Sequence, residues 1–198
     1  MKKESPSNWQ IVWLVIVILI LNAALILGYY ITFHRASPAK SGDNRTSSIV
    51  PLENLGPAPD FNLPDLEGNT IQFSKLKGKV ILVDFWGTWC KSCLDEMPDM
   101  DRVYRKYKDK GFELIAIAVE FDPDPEKRLK KVKRKVKELG VTFIIVMGDD
   151  SVVESFGGKS ENFPQAYLID RNGQIRKRIV GARNEEYWEN LVQSALFE

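Results

Sequence analysis

Between Ser5 and Phe33 the chain carries no charged residue, and this stretch divides it into two parts that obey different rules. Its apolar centre, Ile11 to Leu27, is broken only by Asn22. At about 1.5 Å of rise per residue, a helix from Trp9 to Phe33 exceeds the roughly 30 Å of bilayer hydrocarbon. Trp9, Trp13, Tyr29 and Tyr30 stand near its ends, where aromatic rings with a polar edge favour the membrane interface. The expectation is a tail over 1–8 and one transmembrane anchor over 9–33. A cleaved signal peptide is the alternative, but its apolar region runs about 7–15 residues, and Ser37-Pro38-Ala39 is a weak cleavage site. No cysteine follows the segment in a position to carry a lipid. Lys2 and Lys3 precede it and Arg35, Lys40 and Arg45 follow, so flanking charge alone does not orient it. A short tail ahead of a first apolar segment is ordinarily kept in the cytoplasm. The rest of the chain is therefore expected on the outer side of the membrane.

Residues 34–50, HRASPAKSGDNRTSSIV, are rich in Ser, Pro, Gly and Asn and read as a flexible tether. The folded domain is expected over 51–198. Short apolar stretches around Glu67-Gly68-Asn69 suggest a hairpin within 60–73. Val80-Ile81-Leu82-Val83 is a buried strand, Leu114 to Val119 a second, and Phe143 to Met147 a third. Between them, Met97, Met100, Val103, Tyr104 and Tyr107 recur at helical spacing until Gly111, and residues 126–139 form another helix with Leu129, Val132, Val136 and Leu139 on one face. Asp149-Asp150 has the character of a turn or cap rather than a metal site. Strands over 166–170 and 174–180 are joined at Arg171-Asn172-Gly173, and 185–196 is a closing helix. Alternating strands and helices give an α/β domain: a central mixed sheet flanked by helices, its early strands parallel and its late pair antiparallel.

The net charge of +1 is accounted for by Lys2, Lys3 and Glu4. The balance of the remainder excludes bulk nucleic-acid binding, which needs a basic excess over a whole face. There are two cysteines, Cys90 and Cys93, and one histidine, His34. That is too few for a disulfide-stapled domain or a four-ligand zinc site. No metal and no other cofactor is implied.

The cysteine pair is therefore explained as a unit. A thiol reacts as its thiolate, so a reactive cysteine needs a lowered pKa. Cys90 stands just ahead of the helix that begins near Lys91, where free N–H groups and the helix dipole favour an anion. Lys91 adds a positive charge. Cys93, three positions on, shares the same side, so the two can close a disulfide in the first turn. Cys90 is the expected exposed nucleophile and Cys93 the buried partner that resolves a mixed disulfide. Two unpaired structural cysteines, or half a metal site, are the plainer alternatives.

Val83-Asp84-Phe85-Trp86-Gly87-Thr88-Trp89-Cys90-Lys91-Ser92-Cys93 resembles the active-site strand and loop of thioredoxin. Ala58-Pro59-Asp60-Phe61 to Gly78-Lys79 resembles the extra N-terminal hairpin of the extracytoplasmic TlpA/ResA/CcmG (DsbE) group. Phe163-Pro164 followed by Ala166-Tyr167-Leu168-Ile169-Asp170 resembles that family's proline loop and the strand after it. The resemblance covers residues 57–196. It implies a thioredoxin fold with an added hairpin, a redox-active disulfide at Cys90 and Cys93, and a cis-Pro164 opposite them. It implies that Asp84 accepts the proton of the resolving cysteine and that Pro98 kinks the first helix. Trp86, Trp89, Lys91, Ser92 and Phe163 would line the site and bind substrate. A strand-end role for Asp84 and a core role for Trp86 stay open. Reducing members carry an acid near the end of the second strand, close to the cysteines; Glu120 stands there or one residue displaced, and a solvent-facing role for it is equally open. Ser92 stands where many members have proline.

The activity so implied is thiol–disulfide exchange, with a reducing role on protein disulfides in an oxidising compartment. Apocytochrome c thiols would be one substrate, and a membrane thiol carrier the electron donor. A disulfide oxidase or isomerase would use the same residues. A non-catalytic binding module is a further alternative. A copper chaperone of the Sco type would need a histidine after His34, and a peroxiredoxin-like peroxidase a Pro-x-x-x-Thr/Ser-x-x-Cys setting; both are absent. Residues 126–138 carry eight Lys or Arg against two Glu, either as a solvated helix face or as a contact for anionic lipid or an acidic partner.

Overall fold

The computed structural model describes residues 8–34 and 52–197. It divides into two units, Met1–Thr46 and Ser47–Glu198, each taken by itself. In the first, helix α1 runs Asn8–His34. Its described side chains are Trp9, Trp13 and those of residues 16–29. Over the described residues, no helix is long and apolar enough to cross a membrane. The crossing read from the sequence is thus not carried by the structure. Apart from Asn8 and His34, the tail over 1–8 and the tether over 34–50 lie outside the described residues, as do Pro51 and Glu198 of the domain.

The second unit is built on a five-stranded sheet. Its members are β3 (Val80–Trp86), β4 (Phe112–Val119), β5 (Ile144–Gly148), β6 (Gln165–Ile169) and β7 (Ile175–Val180), in the order β5-β4-β3-β6-β7. β3, β4 and β5 are parallel, while β6 and β7 run antiparallel. β3 and β4 are buried along their whole length, which is why they read as unbroken apolar runs. β7, at the edge, is only partly buried.

α2 (Lys91–Tyr107), α3 (Pro125–Leu139) and α5 (Glu185–Leu196) cover one face of the sheet, packing around Leu82, Trp86, Leu114 and Leu168. The other face buries Ile81, Val83 and Phe85 against Phe61, Phe73 and the short helix α4 (Asp150–Ser155). α4 is not among the elements expected from the sequence. Asp149 does act as a cap, accepting from the N–H groups of Ser151 and Val152 at the start of this helix.

The expected hairpin is present but slight: β1 (Asn62–Pro64) and β2 (Thr70–Gln72) pair antiparallel as a separate two-stranded sheet. Asp65 joins it to β5 through an isolated bridge with Val146. Two helix ends follow directly from local chemistry. Gly111 takes φ 90° after α2 and the 3-10 turn Lys108–Lys110 that follows it, and Gly140 takes φ 66° to end α3, a left-handed backbone that glycine adopts without cost.

Candidate active site

The site forms where β3 ends and α2 begins. Cys90 is the N-cap of α2, and its Sγ accepts from the Cys93 N–H at 3.2 Å. The two sulfurs are joined in a disulfide. No acidic side chain stands in the first turn of α2, so nothing there opposes a thiolate formed on reduction. Cys90 is 6% exposed and Cys93 fully buried. Both are buried, and of the two Cys90 keeps the slight exposure.

Lys91 follows Cys90 directly as the first residue of α2. Its ammonium turns to solvent and pairs with Asp95 at 2.5 Å, and in water such a pair contributes little. Ser92 is the closer polar neighbour, with its Oγ 3.5 Å from the Cys90 Sγ. That hydroxyl can donate to a Cys90 thiolate, which a proline at the same place could not do.

The loop ahead of the cysteines is pinned from the end of β4. Trp89 Nε1 donates to the Val119 carbonyl at 3.0 Å. Glu120 accepts from the Thr88 N–H at 2.6 Å, from the Thr88 hydroxyl at 3.0 Å and from Lys131 Nζ at 3.1 Å. The Glu120 side chain is wholly buried, so it does not face solvent, and its hydrogen bonds go to Thr88 and Lys131 rather than to a sulfur. It clamps the backbone two residues before Cys90. Gly87 is required in this loop, because a Cβ there would stand 2.8 Å from the Val119 carbonyl and collide with the Trp89 indole.

Trp89 is exposed on one side and stacks on Phe163 with ring centroids 5.5 Å apart. On another side it meets Phe121 at 5.1 Å. The Phe163–Pro164 peptide is cis and, through that stack, lies against the active-site loop. Beyond Trp89 and Phe121 opens a cleft of about 540 Å³, walled by Val153, Glu154, Lys159 and Glu161. Trp86, by contrast, is fully buried beside Cys93 and belongs to the core.

Asp84 sits mid-strand between Ala116 of β4 and Ala166 of β6, two small side chains that leave room on that face. It shares strand parity with Leu82 and Trp86, and so points to the side of the sheet that α2 covers. Neither carboxylate oxygen has a hydrogen-bond partner among the described residues. Burial pushes its pKa well above the usual carboxylate range, and the neighbouring Glu96 charge pushes it further.

Sequence reasoning missed Glu96. It follows Cys93 by one helical turn on the buried face of α2. Burial raises its pKa to about 7, against the opposing pull of the Arg183 N–H, which donates to Oε2 at 3.0 Å, and of the Arg183 guanidinium. The Trp188 indole lowers it slightly, although neither its nitrogen nor Glu96 Oε1 completes a hydrogen bond. The available signal was an acid inside an apolar stripe, since Cys93, Met97 and Met100 surround it on the helix face.

A disulfide at a helix N-cap, a cis-proline loop beside it and two protonatable acids on the same buried face define a thioredoxin-like thiol–disulfide oxidoreductase. The AhpC/TSA family model matches residues 56–178. A ResA thiol-disulfide oxidoreductase of Bacillus cereus is 38% identical over 137 residues, covering 69% of this chain and 75% of that protein. The ResA protein of Geobacillus kaustophilus is 37% identical over 138 residues, with the same coverage. A solved thiol:disulfide interchange protein of the thioredoxin family from Chlorobium tepidum superposes with a TM-score of 0.63 at 31% identity, over 71% of this chain and 96% of that one. The thioredoxin domain of a Bacteroides vulgatus thiol-disulfide oxidoreductase gives 0.59 at 28% identity, over 72% and 96%. The chain belongs to the AhpC/TSA family and is a ResA-like thiol–disulfide oxidoreductase.

Proposed function

We propose that this protein reduces disulfides in other proteins, on the outer side of a bacterial cytoplasmic membrane to which residues 9–33 anchor it. In this reading 1–8 is a cytoplasmic tail, 34–50 a tether and 51–198 the catalytic domain. The observation that carries it is the graded burial at the helix N-cap: Cys90 retains a little exposure, Cys93 none, and two acids lie on the same buried face.

In the reduced enzyme, the Cys90 thiolate attacks one sulfur of a substrate disulfide. One S–S bond forms, the substrate bond breaks, and one substrate sulfur leaves as a thiolate. Cys93, giving up its proton, then attacks the Cys90 sulfur of the mixed disulfide. The second substrate sulfur departs, and Cys90–Cys93 closes as the disulfide described above. We assign the Cys93 proton to the Asp84–Glu96 pair, of which Glu96, raised to about 7, is partly ionised near neutral pH and can accept it. Trp89 and Phe163 offer substrate an apolar surface, with Pro164 in the loop below, while Glu120 and Ser92 hold and complement Cys90. Apocytochrome c thiols fit as substrate, and a membrane thiol carrier returns the two electrons. Neither a cofactor nor a metal enters these steps.

The direction of electron flow is tested by the reduction potential of the Cys90–Cys93 pair in a glutathione or dithiothreitol titration. A reductase is expected near the thioredoxin end of the scale, about −270 mV. A value near the strongly oxidising end, about −120 mV, would instead make the protein a disulfide oxidase working through the same residues.

A further inference from the structure

The charge of this chain is unevenly placed. Residues 126–138 bear eight cations against two acids, an excess of six, while the whole chain nets +1. The remainder therefore nets −5, and α3 is a concentration of positive charge. Some of these cations are engaged close by: Lys127 with Asp124, Lys131 with Glu120, and Arg134 and Lys135 with Glu138. Lys130, Lys133 and Lys137 have no carboxylate within ion-pair reach among the described residues, and all three are exposed. They stand three and then four positions apart, so they form one stripe along the helix.

A second feature adjoins the stripe. α3 and the β1–β2 hairpin enclose a cleft of about 530 Å³ with apolar walls from Leu63, Leu66, Leu129 and Met147, and with Arg128 and Lys133 beside them. Its acids are largely committed elsewhere. Asp65 accepts from the Glu67 and Asn69 N–H groups and the Asn69 amide, and Asp149 caps α4 with Arg128 nearby. Among the described residues lining the cleft, Glu67 is the acid whose side chain makes no hydrogen bond or ion pair. Unpaired cations beside an apolar slot match an amphiphile with an anionic head.

We propose that the Lys130–Lys133–Lys137 stripe and the adjoining cleft form a docking surface for anionic phospholipid, laying the catalytic domain on the membrane that anchors it. The inference rests on the anchor reading for proximity: covalent geometry lets residues 35–51 reach up to about 60 Å, enough to bring any face of a domain this size to the bilayer. Each cation brought to an anionic surface strengthens association about fivefold, so three together contribute about a hundredfold. Salt weakens the contact. None of the three lysines belongs to the catalytic site.

The test places the full chain in nanodiscs of phosphatidylcholine, with or without phosphatidylglycerol, and follows lysine acylation by mass spectrometry. Lys130, Lys133 and Lys137 are expected to react severalfold more slowly in the anionic discs and to recover in high salt, while Lys75 and Lys159 are unchanged. Amide exchange over 63–68 should slow in parallel. In a Lys130→Gln/Lys133→Gln/Lys137→Gln variant that slowing should vanish, with disulfide-exchange activity toward a soluble substrate retained. Equal rates in both discs, or slowing that survives the triple substitution, would overturn the proposal. Protection by polyglutamate but not by anionic lipid would overturn it too, assigning the surface to an acidic protein. A chain that fails to enter neutral discs contradicts the anchor alone, and acylation of the free chain with anionic vesicles then still decides the docking surface.

Discussion

Glu120→Ala should destabilise the fold by about 3 kcal/mol and slow disulfide exchange about tenfold, because one side chain serves three partners. Its removal strands the Thr88 N–H and hydroxyl and releases Lys131. A buried donor left unsatisfied costs about 1–3 kcal/mol. The kinetic loss follows from the loop: Thr88 is two residues from Cys90, and the Glu120 carboxylate is what its N–H binds. Glu120→Gln keeps an acceptor for Thr88 and loses the charge, so it should fall between wild type and alanine in both urea denaturation and turnover. If the alanine variant unfolds at the wild-type urea concentration, Glu120 is not a clamp.

The second large effect concerns pH and is best read on the oxidised protein, where neither sulfur titrates. The folded pKa of Glu96 is about 7, raised from its ordinary 4.5 chiefly by burial. Between those values the folded state holds more protons than the unfolded one, so stability falls as pH rises through this window. A displacement from 4.5 to about 7 corresponds to about 3 kcal/mol lost by pH 8. Asp84 is also raised, by burial and then by Glu96, and extends the decline in the same direction. Glu96→Gln retains a partner for the Arg183 N–H and should flatten most of the slope. The variant should equal wild type near pH 4 and exceed it by up to about 3 kcal/mol at pH 8. Asp84→Asn should flatten the rest. Because the two carboxyls interact, their titrations belong to the pair. Denaturation curves at several pH values decide the matter: a wild-type stability that rises steadily from mildly acidic to mildly alkaline pH would mean that the acids are not held protonated.

The sheet was legible because its central strands are buried on both faces and so read as apolar runs, and the closing helix Glu185–Leu196 because its apolar residues recur at helical spacing. α4 escaped notice because six residues are too few to display a helical period. Within the site, Cys90 and Cys93 could be located by their spacing at the start of a helix, and Asp84 by the resemblance of Val83 to Cys93 to the thioredoxin strand and loop. Glu96 could not be found by that route, since one acid on a helix reveals its burial only when the opposite wall is known. Here that wall is Trp188 of α5 and Arg183 ahead of it, about ninety residues away in sequence. The partners of Lys91 and Glu120 were out of reach of the sequence for a related reason. Sequence places a charge near a sulfur, but side-chain direction decides what it meets: Asp95 for one, Thr88 for the other.

The central claim is that Cys90 attacks protein disulfides and Cys93 releases them. A Cys93→Ser chain should therefore accumulate as a mixed disulfide with substrate protein through Cys90, visible as a higher-mass band that collapses on reduction. That band should be absent from Cys90→Ser and from the double variant. If Cys93→Ser traps no partner through Cys90, or if Cys90→Ser traps as much, the assignment of attacker and resolver is contradicted.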